Sequence, residues 1–213
     1  MELLALAVGP VQANCYFLIA DNRDTIIFDP GAEPDEIKNI IEANDLKPFA
    51  IILTHAHYDH IGAVNEIREA YDIPLYQSSI EKEWLEDASL NGSGRHPLIP
   101  EIVIDKPADF YLDTMGPTQV GSFNFEVQHI PGHSPGSLVF LFKENGFAMV
   151  GDVIFQGSIG RTDFPYGSQD SLLKGIKEHI LTLPGETVLF PGHGNPTTVE
   201  DEILRNPFIN GDM

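Results

Sequence analysis

Four short apolar runs in this chain each stop at a histidine or an aspartate, and that recurrence restricts the fold more than any other feature. FAIIL (49–53) leads into THAHYDH, FNFEVQHI (123–130) into Pro131-Gly132-His133, FAMVG (147–151) into Asp152, and TVLF (187–190) into Pro191-Gly192-His193. Runs of four to eight β-branched and aromatic residues bounded by Gly and Pro are strand signals. Side chains at the ends of several strands can meet on one rim of a sheet although they lie far apart in sequence. The pattern therefore predicts a sheet fold whose rim gathers His55, His57, Asp59, His60, His133, Asp152 and His193.

The rest of the chain alternates strand and helix signals. LLALAV, CYFLIA and TIIFD read as an opening antiparallel set, punctuated by Gly9-Pro10 and Asp21-Asn22. Residues 34–44 place Ile37, Ile40 and Ile41 at helical spacing, and Ile61, Val64 and Ile67 carry a second helical face beyond THAHYDH. The strand PLYQS precedes a helix over SSIEKEWLEDA, where Ser79 is the expected cap. Residues 89–100, rich in Gly, Pro and Ser, form a loop long enough for a lid or a substrate rim. The helix SLLKGIKEHILTL, the strand TVLFP and the helix VEDEILRN close the sequence. The expectation is one α/β domain spanning 1–213, with much antiparallel sheet and two sheets covered by helices.

Composition narrows the function. Twelve Lys plus Arg against 32 Asp plus Glu give a formal charge of −20, which repels nucleic acid and anionic lipid. No segment approaches the ~18 uninterrupted apolar residues of a membrane span. The single cysteine, Cys15, cannot form an internal disulfide and fits a reducing cytoplasm. Lying in NCYFLI, it reads as a buried apolar residue.

Five of the eight histidines and two aspartates occupy the strand-end positions. Imidazole nitrogen and carboxylate oxygen are ligands for zinc and similar ions, and seven donors exceed what one tetrahedral ion needs. Two divalent ions with a bridging carboxylate suit them better, most simply zinc, with iron or manganese as alternatives. His96 and His179 lack that context and read as surface residues. His129 alternates in phase with Phe123, Phe125 and Val127, which points to burial or to support of a ligand.

At these residues the sequence resembles the metallo-β-lactamase superfamily, whose pattern is HxHxDH followed by separate His, Asp and His. The resemblance implies an αβ/βα sandwich of two mixed sheets flanked by helices. It assigns His55, His57 and His133 to one ion, Asp59, His60 and His193 to the other, and Asp152 to both. It makes Asp29, in FDPG, a carboxylate that orients the ligands. Within the superfamily, GPVQANCYFL, GDVIFQGSIGRTDFPYG and PGHGNPTTVEDEILRNPF resemble the short bacterial glyoxalase II-like hydrolases. The added C-terminal helical region of full-length glyoxalase II, which grips glutathione, is not expected here.

That resemblance implies hydrolysis of an acyl thioester such as S-lactoylglutathione by a metal-bound hydroxide, with Asp59 orienting the nucleophile and taking its proton, and Asp152 serving both ions. Arg161 and Tyr166, in GRTDFPYG, are candidates for substrate contact. A persulfide dioxygenase with a single iron and a lactonase share the same motifs and stand as alternatives. The expected partner is a small-molecule thioester, with neither nucleic acid nor membrane.

Overall fold

A computed structural model describes residues 1–95 and 98–211, and within it the chain clusters into two compact units. The first comprises Met1–Asp113 with Gly121–Phe123, and the second Thr114–Val120 with Asn124–Met213. His96 lies outside the described residues.

The first unit is built on a six-stranded sheet whose strands lie side by side in chain order: β1 (Glu2–Val8), β2 (Ala13–Ile19), β3 (Asp24–Phe28), β4 (Lys47–Ile52), β5 (Leu75–Gln77) and β6 (Phe110–Tyr111). β1, β2 and β3 pair antiparallel through short turns. From β3 onward the pairing is parallel, because helical crossovers intervene. Alternation places Cys15, Phe17, Ile19, Ile27 and Ile51 in one core with Ile37 and Ile41 of α1 (Pro34–Ala43). Burial of each such aliphatic side chain contributes about 1.5–3 kcal/mol. The alternate residues Leu18, Ile26, Phe28 and Ile52 are equally buried, so β2 to β4 read as apolar on both faces.

The second helical face is broken. α2 (Tyr58–Ile61) ends at Gly62, and α3 (Val64–Tyr71) restarts after Ala63, with Val64 and Ile67 in the core. Over 79–85 the expected α-helix is a 3₁₀ segment kinked at Glu81, and Ser78 rather than Ser79 caps it by accepting the Ile80 N–H. The 89–100 stretch also departs from a plain loop. It holds α4 (Ala88–Asn91) and a 3₁₀ turn at Ser93–Arg95. Asn91 is buried there, donating to the carbonyls of Trp84 and Ile102 and accepting from Ser93.

The second unit carries the sheet order β14-β13-β10-β9-β8-β7. Its strands are β7 (Gly116–Val120), β8 (Phe123–His129), β9 (Leu138–Phe142), β10 (Phe147–Gly151), β13 (Val188–Pro191) and β14 (Thr197–Thr198). Between β10 and β13 runs the small hairpin of β11 (Ile154–Phe155) and β12 (Ser158–Ile159), followed by α5 (Gln169–Gly175) and a π turn at Ile176–Ile180. β10 and β13 pair parallel, the register a helical crossover gives, and the other recorded pairings are antiparallel. Val139, Leu141, Ala148, Val150, Leu172, Ile176, Ile180 and Leu189 form its core. The chain closes with α6 (Val199–Arg205), capped by Thr198, and α7 (Pro207–Asn210), capped by Asn206.

Both sheets are mixed and flanked by helices, as the fold class requires. Among the described residues no helix is long and apolar enough to cross a membrane.

Candidate metal centre

In the first unit the donors follow β4. His55 and His57 are buried in the turn from β4 into α2, His60 is buried within α2, and Asp59 is half-buried beside it on the same helix. His55 stands against His57 and His60, with ring centroids 4.8 and 4.2 Å away. The Asp59 Oδ2 lies 3.7 Å from His60 Nε2. Four donors in one turn of chain need firm backing, and it comes from elements remote in sequence.

The principal support is Asp29, buried at the end of β3. Its Oδ1 accepts the Thr54 N–H at 2.7 Å, and its Oδ2 accepts the Thr54 hydroxyl at 2.6 Å and His60 Nδ1 at 3.1 Å. A carboxylate only accepts, so His60 carries its proton on Nδ1. Thr54 spends its hydroxyl proton on Asp29, and its oxygen therefore accepts from His55 Nδ1 at 3.0 Å. Both rings then present Nε2 as a bare lone pair, the form a metal ligand requires. Glu81, from the kinked 3₁₀ segment, accepts the Ala56 N–H at 2.7 Å and fixes the backbone between His55 and His57. Trp84 packs on the His57 ring at a 5.4 Å centroid distance. Gly31 admits a close approach: a Cβ there would lie 1.6 Å from the Asp59 carbonyl oxygen.

In the second unit the donors end three strands. His133 follows β8, Asp152 follows β10 and His193 follows β13. His133 donates from Nδ1 to the Arg161 carbonyl at 2.9 Å, which again leaves Nε2 as the lone pair. That Nε2 lies 3.4 Å from Asp152 Oδ2, and His193 Nε2 lies 3.6 Å from the same oxygen. These separations are long for charge-assisted hydrogen bonds. They match the spacing of about 3.3 Å between two ligands held at ordinary zinc distances on a tetrahedral ion. A basic nitrogen facing a carboxylate oxygen across such a gap suits a cation between them. The donor set of each unit therefore fits a divalent metal.

Gly160 packs where no side chain fits, since a Cβ would lie 1.8 Å from the Asp152 carbonyl oxygen and 3.1 Å from His133 Cβ. Phe164 and Phe155 set their rings near His133 and His193, each at 6.1 Å.

The two candidates for substrate contact lie in the following loop. The Arg161 guanidinium makes a two-pronged pair with Asp163, at 2.9 and 2.8 Å, and covers the Phe164 ring at 4.3 Å. Its hydrogen bond to Asp163 raises the Arg161 pKa, and the same contact lowers that of Asp163. Tyr166 is 66% exposed, with a left-handed backbone at φ 70°. His129 is half-buried and donates to the Pro135 carbonyl at 2.7 Å, bracing the loop that carries His133. His179 is half-buried on the π turn rather than fully exposed. Cys15 is buried, and burial pushes its thiol pKa well up, with the Asp29 charge adding to the effect. Thr54, Glu81 and Trp84 are the residues that sequence reasoning missed. Glu81 and Trp84 share the 3₁₀ segment, and Thr54 directly precedes His55. Their roles depend on partners remote in sequence or on a ring they pack against, and no local spacing marks them.

Replacing Asp29 with Asn is expected to act through proton placement. The amide puts an N–H₂ against Thr54 or His60, reversing the donor order that leaves the two Nε2 atoms bare. Metal affinity should fall about 10–100-fold, and stability by about 1–3 kcal/mol. Chelator competition and thermal unfolding measure the two effects.

In each unit imidazoles and carboxylates stand just beyond strand ends, a donor set that divalent metals accept. The family model described as the metallo-beta-lactamase superfamily matches residues 8–193, and the chain belongs to that superfamily. It is similar to the probable metallo-hydrolase YqgX of Bacillus subtilis, 49% identical over 211 residues and covering 99% of each chain. It is 34% identical to hydroxyacylglutathione hydrolase GloC of Haemophilus influenzae over 210 residues, again 99% of each. Among solved structures, the BLEG-1 B3 metallo-beta-lactamase superposes with a TM-score of 0.95 at 42% identity, covering 99% of this chain and 100% of that one.

Proposed function

We propose that this metallo-hydrolase cleaves acyl thioesters, with S-lactoylglutathione as the model substrate. The observation that carries the substrate reading is the similarity to GloC over 99% of both chains. The reading takes the seven donors as ligands of two divalent ions, with zinc first and iron or manganese as alternatives. The spacing of donors within each unit supports this: Asp59 Oδ2 lies 3.7 Å from His60 Nε2, and Asp152 Oδ2 lies 3.4 and 3.6 Å from the Nε2 atoms of His133 and His193. In this reading His55, His57 and His133 would hold one ion, Asp59, His60 and His193 would hold the other, and Asp152 would contribute to both.

Bound there, the ions supply the positive charge that acidifies a water molecule and polarises the thioester carbonyl. The chain's own residues do the rest. Asp29, Thr54 and the Arg161 carbonyl keep protons on the Nδ1 atoms of His60, His55 and His133. Asp59 orients the attacking water and takes its proton, as a half-buried carboxylate beside His60 is placed to do. A leaving thiolate, whose parent thiol has a pKa of about 8.5, departs without a proton donor. A lactam nitrogen needs one, so the thioester reading is preferred over the lactam hydrolysis that the BLEG-1 likeness suggests. The lone buried Cys15 and the charge of −20 fit a cytoplasmic protein whose partner is a small molecule rather than nucleic acid or membrane.

Thiol release from S-lactoylglutathione, oxygen uptake with glutathione persulfide and hydrolysis of a chromogenic cephalosporin separate the readings. Thiol release that stops on chelation and returns with metal is the expected result. Oxygen uptake without thioester cleavage would move the chain to the dioxygenase class with one iron. Cephalosporin or lactone turnover alone would also overturn the thioester assignment.

A further inference from the structure

We infer that Glu202 and Asn206, in the C-terminal helices, form a latch that holds the β11–β12 hairpin and through it fixes His133 and Asp152. They are positioning residues, and the inference rests on the metal reading above.

Glu202 is almost fully buried at 1% exposure, on α6. Its carboxyl group collects three donors. The Gly157 N–H, at the hairpin tip, reaches both oxygens at 3.2 and 3.0 Å. The Thr197 hydroxyl donates at 2.6 Å, and the Asn206 side chain at 2.7 Å. The same Asn206 nitrogen donates to the Ser158 carbonyl at 2.9 Å, and the Asn206 carbonyl oxygen caps α7 through the Phe208 N–H. The hairpin is thus gripped at its tip through the backbone of two adjacent residues.

A buried carboxylate costs more in desolvation than an apolar residue of its size, so packing alone does not account for Glu202. Its partners do. The gripped hairpin starts two residues after Asp152, past Val153, and ends directly before Gly160 and Arg161. Gly160 lies against the Asp152 carbonyl and His133 Cβ, and the Arg161 carbonyl receives the His133 Nδ1 proton. A hairpin released at its tip would let the carbonyl of Arg161 drift, and with it the ring that this carbonyl orients. The chain of contacts runs from Glu202 to Gly157, along β12 to Gly160 and Arg161, and on to His133.

The test compares Glu202→Gln with Ile176→Val, a core change in the same unit that perturbs stability without touching the latch. The amide keeps the volume but turns an N–H₂ toward a donor. In the metal-free protein, backbone amides 157–161 and the His133 Nδ1 proton should exchange faster in Glu202→Gln only. In the cobalt-loaded protein, the visible ligand-field bands should shift, and ion transfer to a chelator should quicken about tenfold. Thr197→Val, which removes one donor, should move the same signals less, and it serves if Glu202→Gln does not fold. Exchange and release rates equal to those of Ile176→Val would overturn the latch. Failure of the unaltered protein to take up cobalt would instead overturn the metal reading, while the metal-free exchange rates still decide the latch.

Discussion

Alanine at position 160 is expected to abolish metal binding and turnover, although the change adds a single methyl group. The added Cβ would sit 1.8 Å from the Asp152 carbonyl oxygen and 3.1 Å from His133 Cβ, and both neighbours belong to the donor set. Backbone cannot yield as a flexible side chain does, so either the Asp152 segment or the β12–Arg161 segment must move. Overpacking of this kind costs about 1–3 kcal/mol. The larger effect falls on the site. A donor displaced by an ångström loses its ion, and turnover should fall by more than about 100-fold. Gly146→Ala is the control: its φ of 72° brings strain, but no atom lies within 4 Å of the new methyl. That variant should lose about 1–2 kcal/mol and keep its activity. Equal metal stoichiometry in the two variants would refute the packing argument.

Asp59→Ala should produce the opposite separation, with the chemistry lost and the fold kept. Asp59 lies in the first turn of α2, half-buried, while Asp29 holds the Thr54 and His60 hydrogen bonds that organise the β4–α2 connection. In a chain of formal charge −20, loss of one carboxylate beside others relieves repulsion. The melting temperature should therefore change little. Turnover should fall about 10²–10⁴-fold, the range for removal of a general base. Full turnover in this variant would end the role assigned to Asp59.

The turns that carry the donor residues are legible because their signal is local. Donor residues follow β-rich runs, and the glycines beside His133, Asp152 and His193 mark sharp turns. Two sheets covered by helices follow from the alternation of strand and helix patterns, and their mixed character from the family resemblance. What escaped notice depends on partners far away in the chain. Glu81 reaches Ala56 across 25 residues, and Glu202 reaches Gly157 across 45. Glu81 also explains why SSIEKEWLEDA is not an α-helix, since the backbone bends at that residue, with φ −109° and ψ 20°, and its carboxylate turns inward. The helical face from Ile61 to Ile67 is continuous in periodicity, but Gly62 and Ala63 interrupt the hydrogen-bonded run. Arg161 carries a backbone role that no motif marks. Its backbone carbonyl orients His133, whereas its guanidinium is engaged with Asp163 and Phe164.

The ion count per chain tests the central claim most directly. Metal-free protein titrated with zinc in a calorimeter should bind two ions, and the Asp152→Ala variant fewer. A stoichiometry of zero, or two ions held with undiminished affinity after Asp152 is removed, would contradict the proposed two-ion reading.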